Sequence, residues 1–144
     1  MTEFHINGTF TFELVSPERK LISGTAKMVT IPGEEGDFGV LPGHSALVAT
    51  IRPGVVEIIM ADGVSQRIFI AGGFADVSPT NCTVLAEEAV NVNDFNAADL
   101  EQTIRNLTED MTMAKDDFEK ARIARKLTLT RAKLQGVTGT AAVA

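Results

Sequence analysis

Glycine and proline are confined to one part of this chain, and that confinement limits its fold more than any other feature. All five prolines lie at or before Pro79, and ten of the twelve glycines lie at or before Gly73. From Phe74 to Gln135 there is no glycine. Both residues punctuate turns and interrupt helices, so short strands are expected first and a helical segment after them. Charge divides too. Residues 1–90 carry five bases and eleven acids, whereas residues 91–144 carry eight of each. Two units are therefore expected, a β-sandwich over 1–90 and an α-helical hairpin over 91–144.

The first unit reads as strands. Thr9 to Val15 alternates polar and apolar residues and is stopped by Pro17; Thr25 to Ile31 is a second run, closed by Pro32-Gly33. Gly54 to Met60 and Val64 to Ile70 flank Asp62-Gly63, a hairpin signal of the two-residue type. Gly72-Gly73 introduces Phe74 to Val77, and Ser78-Pro79-Thr80-Asn81 turns into Cys82 to Ala86. Turn signals recur throughout without a helical period, which indicates a sandwich or barrel. The runs Val55-Val56 and Ile58-Ile59-Met60 suggest strands covered on more than one face.

The second unit reads as helix. Asn93 or Asn96 can cap it, and Asp99 and Glu101 put acid in the first turn, where the helix dipole favours it. Leu100, Ile104, Leu107 and Met111 form one apolar stripe; Phe118 and Ala121 nearly continue it. The phase then slips to Ile123, Leu127 and Leu134, and Asp116-Asp117 offers a second helix start. The small, uncharged tail from Gly136 to Ala144 is expected to fray.

Composition excludes several function classes. A net charge of −6 argues against nucleic-acid binding, which needs a basic field. Apolar runs reach only about eight residues, against the ~20 needed to span a bilayer, so no membrane insertion is expected. Met1-Thr2-Glu3 opens without a basic-then-apolar leader, so no secretory or transit peptide is expected. Cys82 is the single cysteine, which rules out a disulfide framework or cysteine metal cage and fits a reduced, cytosolic setting.

Catalysis is not expected. His44 and His5 are the two histidines, and neither has a Ser or Cys nucleophile arranged beside it. Gly33, Gly36, Gly39 and Gly43 lack the Gly-Lys-Ser/Thr that follows a phosphate cradle, and read better as turn residues. Glu34, Glu35 and Asp37 on this glycine-punctuated loop read either as a docking site for a basic partner or as a solvated acidic turn. After Asp117, Glu119 is the one acid against Lys120, Arg122, Arg125, Lys126, Arg131 and Lys133. This basic helix reads either as complementing the helix dipole with a solvated face, or as an arm for an acidic surface.

The stretch Gly33-Glu34-Glu35-Gly36-Asp37-Phe38-Gly39-Val40-Leu41-Pro42-Gly43-His44-Ser45-Ala46-Leu47 resembles the signature of bacterial F-type ATP synthase epsilon subunits. Arg52-Pro53-Gly54 resembles that family's following turn, and Ala71-Gly72-Gly73-Phe74 its double-glycine strand entry. The resemblance implies a non-catalytic rotor subunit of the central stalk, without cofactor, peripheral on the cytoplasmic side of the bacterial plasma membrane. It implies a sandwich that binds the gamma subunit and rests on the polar loops of the c-ring, contacted here through Glu35, Asp37 and His44. It also implies a helical arm that can rise toward the catalytic alpha/beta subunits and block hydrolysis, with Arg122, Arg125 and Lys126 as the contacts. The alternative is an ATP-sensing module. Some members bind ATP through an Ile/Leu-Asp-Xaa-Xaa-Arg-Ala motif, aligned here with Asp116 to Ala121. Asp117 and Ala121 match, but Lys120 replaces the arginine and Asp116 the aliphatic, so ATP binding is expected to be weak or absent.

Overall fold

A computed structural model of the protein describes residues 8–139, which group into two compact units meeting between Asn91 and Val92. In the first are β1 (Phe10–Val15), β2 (Lys20–Gly33), β3 (Gly36–Val40), β4 (Leu47–Ile51), β5 (Gly54–Met60), β6 (Ser65–Ile70), β7 (Gly73–Val77), β8 (Asn81–Ala86) and β9 (Ala89–Asn91). In the second, a 3-10 turn at Val92–Asp94 precedes α1 (Ala97–Met113) and α2 (Asp117–Thr138). The architecture is the expected β-sandwich followed by a helical hairpin.

The long strand β2 joins the layers. Its first half pairs antiparallel with β1, its second half with β3 and β5, and its last residue, Gly33, with Ile51 of β4. An irregularity between Ala26 and Met28 lets one strand serve several partners, since an extra residue bends a strand and increases its twist. Strand β1 returns parallel to β8, and β7 links β8 to β4, so the pairing closes on itself. Side-chain alternation then fills the interior: Phe12, Leu14, Val29, Ile31, Ile58 and Val84 are fully buried.

Three local readings change. The Asp62-Gly63 hairpin is a three-residue loop, because Met60 N–H donates to Val64 O at 2.8 Å and Gly63 takes φ 91°. Strand β5 is buried on alternate residues only, with Ile59 38% exposed; consecutive burial occurs instead at Ile68, Phe69 and Ile70 of β6 and at the end of β2. The acidic "loop" is largely strand: Glu34-Glu35 form a two-residue turn between β2 and β3, and Asp37 lies on β3.

In the second unit Asn96 caps α1, its side chain accepting from Asp99 N–H at 3.1 Å, and Asp116 caps α2, accepting from Glu119 N–H at 2.7 Å. Ile123 and Leu127 of α2 are buried, while Leu100, Ile104, Leu107 and Met111 of α1 are half-buried. Phe118 does not continue the first stripe; it is 77% exposed, because the backbone leaves helical geometry at Ala114 and restarts after Asp116. The tail expected to fray from Gly136 is helical through Thr138. Gly139 ends it in the left-handed conformation, its N–H donating to Gln135 O at 3.1 Å. Thr140 to Ala144 and His5 lie outside the described residues.

Candidate functional site

The β2–β3 hairpin sets the acidic residues. Gly33 is closed in by its neighbours: a Cβ there would stand 2.7 Å from Gly36 O and 3.0 Å from the Phe38 ring. Gly36 takes φ 133°, a conformation closed to other residues without strain. The tight turn leaves Glu34 and Glu35 exposed at its tip, and Glu34 N–H donates to Thr50 O on β4 at 2.9 Å. Between this turn and β4 lies a groove of about 450 Å³, walled by Phe38, Leu47 and Val48 and rimmed by Glu34 and Glu35. An acidic rim over apolar walls suits a long basic side chain, whose stem can pack while its head meets carboxylate.

Asp37 and His44 occupy other positions around the hairpin. Asp37 pairs with Arg52 at 2.5 Å, and Arg52 also donates to Gly33 O at 2.6 Å. Neither Arg52 nor the apolar groove walls stood out in the sequence, where Arg52-Pro53-Gly54 carries only a turn signal. His44 follows the Pro42-Gly43 turn, closed by His44 N–H to Leu41 O at 3.1 Å with Gly43 at φ 84°. Its Nδ1–H donates to Ser45 O at 2.7 Å, and its ring centroid lies 6.4 Å from that of Phe38. Glu35, Asp37 and His44 thus share one end of the sandwich, each with a different local role.

A second feature is an apolar patch on the outer face of the sheet. Phe74 and Leu85 are register partners on β7 and β8, and are 54% and 50% exposed. Val48 on β4 is 70% exposed and pairs with Asp76 of β7. Phe74 and Leu85 are thus neighbouring exposed apolar side chains, whereas Val48 stands beside the charged Asp76.

In the helical unit, Arg122 and Lys126 line a cleft of about 180 Å³ between α1 and α2 together with Asp110 and Glu119. Arg125 is exposed on α2. Lys133 stands over the Phe95 ring at 5.7 Å. Of the residues aligned with the nucleotide motif, Asp117, Lys120 and Ala121 are exposed and do not line the cleft, and Asp116 is engaged as a helix cap. The cleft is also below the roughly 300 Å³ where pockets for ligands of drug size begin.

A strand-built head bearing an acidic hairpin, followed by a capped helical hairpin with a basic second helix, defines a two-part protein of sandwich-plus-helical-arm type. Residues 9–92 match the family described as ATP synthase, Delta/Epsilon chain, beta-sandwich domain, and residues 96–143 match the C-terminal domain of the ATP synthase epsilon chain. The protein is 47% identical over 128 residues to the ATP synthase epsilon chain of Rhodospirillum centenum, covering 85% of this chain and 88% of that one. It is 48% identical over 113 residues to that of Maricaulis maris, covering 78% and 84%. Its fold is similar to a chain in the mitochondrial ATP synthase of Euglena gracilis, solved as an OSCP/F1/c-ring assembly. The TM-score there is 0.79 at 22% identity, covering 87% of this chain and 79% of that one. The chain belongs to the ATP synthase epsilon chain family.

Proposed function

We propose that this chain is a non-catalytic rotor part of a proton-translocating ATP synthase, coupling the gamma subunit to the c-ring. The proposed setting is the cytoplasmic side of the bacterial plasma membrane. Among the described residues no helix is long and apolar enough to cross a membrane, so attachment is assigned to protein contacts. The coupling role rests chiefly on the groove rimmed by Glu34 and Glu35 in a head of this family. Its carboxylates complement an arginine on the c-ring's polar loop, with Asp37 and His44 completing the docking end. The exposed pair Phe74 and Leu85 is assigned to the gamma subunit, since a permanent partner is expected to cover apolar surface.

The arm is assigned a regulatory role: Arg122, Arg125 and Lys126 meet an acidic segment of the catalytic subunits and slow hydrolysis. An ATP-sensing role is the weaker reading, because the nominated motif residues lie away from a small cleft. Calorimetric titration with ATP is expected to give no micromolar binding. The coupling role is tested with Asp37→Arg in the assembled enzyme. ATP-driven proton pumping is expected to fall while the variant stays folded and co-purifies with the rotary complex; unchanged pumping would remove Asp37 from the docking end.

A further inference from the structure

We infer that Arg52 is the positioning residue of the acidic turn, and that Asp37 acts through Arg52, from within the chain, instead of meeting the partner itself. The inference rests on the docking role proposed for this turn. Ile51 ends β4 in register with Gly33, so Arg52 leaves the strand beside the hairpin, its N–H donating to Pro32 O at 3.0 Å. The guanidinium then spans the turn. Nη1 donates to Gly33 O before Glu34, at 2.6 Å, and Nη2 donates to Asp37 Oδ1 after Gly36, at 2.5 Å. One planar fork therefore holds both stems of the hairpin, a geometry that the point charge of lysine cannot reproduce.

Magnitude decides what this pair is for. The side chains of Arg52 and Asp37 are 43% and 61% exposed, and pairs this open add little to global stability. Their effect falls on the local order of the turn. The Asp37 carboxylate is already paired with a guanidinium, whereas among the described residues no ion pair engages Glu34 or Glu35. Work is thus divided: Glu34 and Glu35 meet the incoming cation, and Asp37 with Arg52 fixes where they stand.

A charge swap separates this from direct contact. In the reconstituted enzyme, Asp37→Arg and Arg52→Asp are each expected to lower ATP-driven proton pumping. Asp37→Arg combined with Arg52→Asp is expected to recover part of it, because the ion pair is rebuilt in reverse while a carboxylate at position 52 cannot donate to Gly33 O. If the combined variant pumps no better than Asp37→Arg alone, Asp37 meets the partner and the inference is overturned. Glu34→Lys with Glu35→Lys tests the docking role separately: full pumping there sinks docking, whatever the swap gives. The milder Arg52→Gln covers the case of misfolding. In the full-length protein its Glu34–Gly36 amides are expected to exchange hydrogen up to about fivefold faster, with Arg52→Lys intermediate. Unchanged exchange in Arg52→Gln would also overturn the inference.

Discussion

At position 73 a side chain has no space. A Cβ there would run into the Leu85 carbonyl of the neighbouring strand, and φ 149° is a conformation for glycine alone. Gly73→Ala is expected to destabilise the head by at least about 2 kcal/mol, read from urea melts. A melt within error of the parent would mean that β7 and β8 can move apart freely. Position 82 titrates abnormally. Burial, with the Asp76 charge as a smaller cause, pushes the Cys82 thiol from the ordinary 9.0 up to about 12. The folded protein then keeps a proton that the unfolded one releases above about pH 9. This contribution to stability is complete below that pH and is lost as pH rises toward 12. Between pH 8 and 10.5, Cys82→Ala is expected to lose stability less steeply than the parent; equal slopes would contradict the shifted thiol. The Gly72-Gly73 pair was legible as a strand entry, but its collision with Leu85 depends on a cross-strand pairing and was not.

At the scale of elements, local signals were legible and distant ones were not. Asp116, and Asn96 as one of two candidates with Asn93, were identifiable as helix starts because a cap is chemistry between residues three apart; the caps are Asn96 and Asp116. Replacing either with alanine is expected to cost about 1 kcal/mol and to reduce helicity by circular dichroism, Asp116→Ala fraying the start of α2. No change in helicity would mean that neighbouring contacts hold the ends instead. By contrast, β3 carries two glycines, and both β3 and β4 carry exposed residues. They are strands because β2 and β7 pair with them, which no pattern within the segments states. The same limit hid Arg52, which stands 19 residues from Gly33 and 15 from Asp37 in sequence yet bonds to both in space. Of the candidate site, the acids could be named from the sequence; the groove and its latch required the fold.

On the scale of the whole molecule, the two units divide the charge as the proposed function divides the work. The head holds the acidic excess and the proposed docking surfaces, while α2 carries a basic face, with Arg122 and Lys126 one helical turn apart. Neutralising Arg122, Arg125 and Lys126 to glutamine is expected to raise ATP hydrolysis by the assembled enzyme; an unchanged rate would remove the brake. In this division the head alone couples and the helices only regulate. It is tested by depleting the enzyme of this subunit and restoring it either at full length or ending at Asn91. Protons pumped per ATP hydrolysed should be equal in the two, with faster hydrolysis in the shortened form. Hydrolysis without pumping in the shortened form would contradict the division, because coupling would then require the helices.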